Sequence, residues 1–121
     1  MDNKYDFQFT LEQVRCLREY LAMYLIDHQA LKIEKHSSHD RSFNCLLRFK
    51  DDTKPFTCNH RQYKYYVRVL QYFVVKELKS TIINKEERDN LKYFFKVFGE
   101  KNKEPTKEIT ILLEGLVSNK S

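Results

Sequence analysis

Apolar and polar positions alternate or recur along this chain in a way that predicts most of its elements. Tyr5, Phe7 and Phe9 alternate with polar residues, the period of a short strand with one face buried. Thr10 then offers an N-cap, with Gln13 three residues on as its capping-box partner. Leu11, Val14, Leu17, Leu21, Tyr24 and Leu25 follow at helical spacing, with Arg15 and Glu19 as an i,i+4 pair on the other face. The spacing predicts a helix over about 11–27.

Leu31 and Ile33 alternate with Lys32 and Glu34, and Phe43, Cys45, Leu47 and Phe49 alternate with Asn44, Leu46 and Arg48. A polar His-Ser-Ser-His-Asp-Arg stretch separates the two runs, so the pattern predicts a hairpin with a loop longer than two residues. Pro55, after Asp51-Asp52-Thr53-Lys54, ends the second strand, because proline cannot serve a central ladder position.

Residues 60–79 carry strand-forming valines and tyrosines, but their periodicity is helical. At 100° per residue, Tyr63, Tyr66, Val67, Leu70, Phe73, Val74 and Leu78 fall in one sector. Arg61, Lys64, Tyr65, Arg68, Tyr72, Lys76 and Lys79 fall in the opposite one, and Glu77 sits awkwardly toward the apolar side. Asn84 with Glu87 reads as another capping box, and Leu91, Phe94, Phe95 and Phe98 continue as an apolar stripe. Gly99 is the expected stop. After a charged linker and Pro105, Ile109, Leu112, Leu113, Leu116 and Val117 fit a helix, while residues 107–113 fit a strand almost as well.

The expected order is β-α-β-β-α-α-α: an α+β fold with a small antiparallel sheet of two to three strands against three to four helices. At 121 residues this is one domain, 1–121, with a short polar tail over about 118–121. Such a length buries a core without disulfides or metals.

Composition narrows the function. Only Gly99 and Gly115 are glycine, so the Gly-rich phosphate loops of Walker or dinucleotide type cannot be built. Cys16, Cys45 and Cys58 are an odd number, and no run approaches a membrane span or a signal core. Free thiols, no membrane and a cytoplasmic setting are expected (the host's cytoplasm for a protein of viral or mobile-element origin).

Charge is the one asymmetry that points at a partner. The net charge is +5 and the sequence pI ≈ 9.1. The window 54–79 alone holds Lys54, Arg61, Lys64, Arg68, Lys76 and Lys79 against Glu77, so it carries the whole excess. On a helix of roughly 27 Å, Arg61, Arg68 and Lys79 share nearly one azimuth, with Lys64 and Lys76 beside them. Cations so spaced can meet successive phosphates, and Tyr65 and Tyr72 between them could stack on unpaired bases.

Other constellations are weaker. His36, His39, Cys45, Cys58 and His60 match no standard zinc spacing, and no CxxC pair exists. Cys58 and His60 lack a third group to orient a base. Asp51 and Asp52 read as a turn rather than a metal-dependent catalytic pair. No enzyme, metal or cofactor is expected.

The expected function is a small non-enzymatic binding protein that takes nucleic acid through Arg61, Lys64, Tyr65, Arg68, Tyr72, Lys76 and Lys79. The alternative is a protein–protein interaction module (inhibitor, adaptor or accessory factor) that offers the same face to an acidic protein surface. A second copy of the chain is a further candidate partner through an exposed part of the Phe stripe.

Overall fold

The fold is that of a computed structural model, which describes residues 4–28, 37–80 and 84–101. It is α+β. Strand β1 (Lys4–Phe7) is followed by helices α1 (Leu11–Asp27) and α2 (Ser38–Arg48), strand β2 (Phe56–Asn59), and helices α3 (His60–Lys79) and α4 (Lys85–Lys101). The chain divides into two compact units, residues 1–69 and 70–121, and α3 contributes its first half to one and its second half to the other.

In the first unit β1 and β2 form an antiparallel pair, with Tyr5 opposite Cys58 and Phe7 opposite Phe56. Alternation sends these four inward, while Asp6 and Thr57 face out and share a 2.7 Å hydrogen bond from the threonine hydroxyl. Phe9, Phe49 and Phe56 extend the inner face as a cluster of rings 5.6–5.9 Å apart. Helix α1 begins as its sequence dictates: Thr10 Oγ1 accepts from the Gln13 amide at 3.1 Å, and Gln13 Oε1 accepts from the Thr10 amide at 2.9 Å. It buries Val14, Leu17, Tyr20 and Leu21, lies against α2, and carries the Arg15–Glu19 pair on its outside.

The hairpin expectation is corrected. Its first arm, 31–34, lies outside the described residues, and its second arm is helix α2. Ser37 caps this helix, accepting from the Asp40 amide at 3.1 Å, with Asp40 in the first turn and Arg48 in the last. His39, Ser42 and Leu46 face inward at helical spacing, whereas Leu47, on the supposed inner face of a strand, is 41% exposed. Period two also misplaced the strand end. Pro55 precedes β2, and proline ahead of a strand's first residue removes no ladder bond.

In the second unit the latter part of α3 buries Leu70, Phe73, Val74 and Glu77, and α4 buries Arg88, Leu91, Phe94, Phe95 and Phe98. Asn84 Oδ1 accepts from the Glu87 amide at 3.1 Å and opens α4. Gly99 does not end that helix, which runs on to Lys101. Glycine lowers helix propensity by only about 1 kcal/mol, and an adjoining Phe stripe outweighs that. The helix expected after Pro105 and the polar tail lie outside the described residues.

Candidate nucleic-acid interface

Helix α3 is opened by a capping box that sequence inspection missed. Asn59 Oδ1 accepts from the Gln62 amide at 2.8 Å, and Gln62 Oε1 accepts from the Asn59 amide at 2.9 Å. That pair fixes the phase of everything after it. Tyr63, Tyr66, Val69, Leu70, Phe73, Val74 and Glu77 turn inward, a sector rotated slightly from the expected one, so that Val69 is buried while Val67 and Leu78 are half-buried.

The opposite face has an unusual composition. Six side chains of α3 are exposed: Arg61, Lys64, Arg68, Val75, Lys76 and Lys79. Five are cations and the sixth is an aliphatic residue. Arg61, Lys64 and Arg68 stand on the first half, within the first unit, and Lys76 and Lys79 on the second half, within the second. Arg61, Lys64, Arg68 and Lys79 enter no ion pair among the described residues. Lys76 Nζ lies 5.8 Å from the centre of the Phe73 ring, an additional hold on its stem.

Glu77, the one acid of the basic window, is withdrawn from this face. It is buried and its Oε1 accepts from Nε of Arg88 at 3.0 Å. The residue that looked like a flaw in the amphipathic pattern is one half of an internal ion pair. The available signal was Arg88 itself, in phase with Leu91 and Phe95 on the inward face of α4.

The two tyrosines placed between the cations are not open platforms. Tyr65 is half-buried, its hydroxyl is hydrogen-bonded to His39 Nδ1, and its ring meets those of His39 and Tyr24 edge-on at 5.6 and 6.1 Å. Burial, reinforced by Tyr24 and opposed by Arg68, pushes its phenol up to about 12, so it stays protonated. Burial holds His39 below the ordinary histidine range against the raising influence of Asp40. A neutral His39 with its proton on Nε2 can accept the phenol proton at Nδ1. Tyr72 is half-buried and edge-on to Phe73 at 5.0 Å.

The described members of the histidine and cysteine set have separate engagements. His36 lies outside the described residues, His39 is bonded to Tyr65, and His60 Nδ1 is 2.9 Å from the Tyr5 hydroxyl. Cys45 donates to the Thr57 carbonyl at 3.5 Å. Cys58 is buried, and desolvation first, then Cys45 and Asp6, drives its thiol well above the usual range, which suppresses the nucleophilic thiolate. All three cysteines are free thiols. Among the described residues no group of three or more His, Cys, Asp or Glu could hold a metal ion.

Asp51 and Asp52 both accept hydrogen bonds from backbone amides. Asp51 accepts from the Thr53 amide at 3.0 Å and from its hydroxyl, bonds that hold its carboxyl below the usual range. Asp52 Oδ2 accepts from the Leu11 amide at 3.3 Å. No described helix is long and apolar enough to cross a membrane.

Compared with known proteins, the chain matches no family model, no curated sequence and no solved structure.

Proposed function

We propose that this chain is a small non-enzymatic nucleic-acid-binding protein, acting in the cytoplasm, that holds phosphates with Arg61, Lys64, Arg68, Lys76 and Lys79. One observation carries the reading: five of the six exposed side chains of α3 are cations, and the helix's only acid is buried against Arg88. Surface helices normally intersperse both signs, which supports solubility without attracting a polyanion. A face of one sign instead attracts phosphate backbones and releases their counterions.

The test is fluorescence anisotropy of labelled nucleic acid titrated with the protein at two salt concentrations. Affinity should fall steeply with salt and be lost in Arg68→Glu. That variant should keep the wild-type melting temperature, because Arg68 is exposed and unpaired among the described residues. Absence of binding at low salt would transfer the same face to an acidic protein surface and make the chain an interaction module.

A further inference from the structure

We infer that the nucleic acid taken by the α3 face is a duplex, held through its phosphate backbone with no base stacked on the protein. The inference rests on the proposed function and narrows it to one ligand class.

Proteins that bind single strands without sequence preference combine cations with aromatic side chains on which successive bases stack. The chain has nine Phe, eight Tyr and no Trp, and all seventeen rings lie within the described residues. Eleven are buried and the other six, Tyr24, Phe43, Phe49, Tyr65, Tyr72 and Tyr93, are half-buried, so none stands fully exposed. The two that the sequence places among the cations are committed elsewhere. Tyr65 is bonded to His39 and packed edge-on to Tyr24, and Tyr72 is packed edge-on to Phe73. The Tyr65 ring cannot swing out to meet a base without breaking its hydrogen bond to a buried imidazole, His39 being only 9% exposed.

Without stacking, the remaining attraction is electrostatic, and charge density decides. A duplex presents one negative charge per roughly 1.7 Å of axis, a single strand of it one per roughly 3.4 Å. Arg61 and Arg68 stand about 10.5 Å apart along the helix axis, a length over which a duplex offers about twice as many phosphates. Each phosphate neutralised contributes about −0.9 to the log–log salt slope on a duplex and about −0.7 on a single strand. The face thus favours the duplex on both counts.

The experiment compares the intact protein against a short mixed-sequence duplex DNA and an unstructured single strand of the same length, across a salt series. The duplex should bind more tightly at every salt. Its log–log slope should lie between about −2.7, for the three cations of the first half of α3, and about −4.5, for all five. Tyr72→Leu, which removes a ring face but keeps apolar bulk, should leave both affinities unchanged. A single strand bound as tightly as the duplex or more so, or a single-strand affinity lost in Tyr72→Leu, overturns this inference and leaves the phosphate-binding reading standing. No binding of either probe at low salt removes both.

Discussion

The two units of this chain bury polar groups by different means. In the first unit, tyrosine hydroxyls pin the elements together: Tyr66 donates to the Ser42 carbonyl at 2.7 Å, Tyr65 is bonded to His39, and Tyr5 to His60. In the second unit, within a Phe-rich core, an ionic link joins α3 and α4, Glu77 to Arg88, each side chain 8% exposed. Cutting one partner of a hydroxyl pin leaves an uncharged polar group unsatisfied, which costs less than stranding a buried charge. A buried ion pair is asymmetric: removing one partner strands a charge, whereas removing both strands nothing.

The largest expected effect tests that asymmetry. Glu77→Ala should destabilise by about 3–5 kcal/mol in urea denaturation, leaving the Arg88 guanidinium buried without its carboxylate. Glu77→Met with Arg88→Leu together should come close to wild type or exceed it. If the double variant proves as unstable as the single one, the ion pair is not what the second unit depends on, and the contrast between the units fails.

A neutral pin should cost less. Tyr66→Phe removes the buried hydroxyl that donates to the Ser42 carbonyl and is also hydrogen-bonded to Cys45, and is expected to lose about 1–2 kcal/mol. Ser42 supplies an internal control, since its Oγ is fully buried and has no hydrogen-bond partner among the described residues. Ser42→Ala should therefore be neutral or stabilise by up to about 1 kcal/mol. Two buried hydroxyls on neighbouring helices should thus respond with opposite signs in the same melting experiment.

The same contrast explains what could be read from the sequence. Helix α1 was legible to its exact ends because Thr10 and Gln13 mark its start and its apolar positions keep one period. The phase of α3, and with it the cationic face, was legible because twenty residues of 3.6-fold pattern outweigh β-branched composition. Helix α2 was not, because eleven residues give few repeats and Phe43, Cys45, Leu47 and Phe49 happen to alternate. There the Ser37–Asp40 cap was the better guide. Strand β2 has four residues and gains its identity from pairing with β1, fifty-odd positions away, which no local pattern contains. The state of Tyr65 was equally out of reach, since His39 and Tyr24 come from two other helices.

The smallest expected effect belongs to that His39–Tyr65 pin, and it appears only on acidification. Burial lowers the folded-state pKa of His39 below its ordinary value of 6.5. Well above pH 6.5 the imidazole is neutral in both folded and unfolded chains and contributes no pH dependence. As the pH falls below that value the unfolded chain takes up the proton first, so stability declines. The decline ends once the pH passes the lowered folded pKa and both states are protonated. His39→Gln keeps an acceptor for the Tyr65 hydroxyl but does not titrate, so its stability should be flatter below pH 6.5 until carboxylates begin to protonate near about pH 4.5. Urea midpoints measured at half-unit steps for both proteins would show the difference. Burial raises the Tyr65 phenol from 10.0 to about 12, so both proteins should lose stability above about pH 10, and an alkaline decline in wild type alone would assign the pin's titration to the wrong partner.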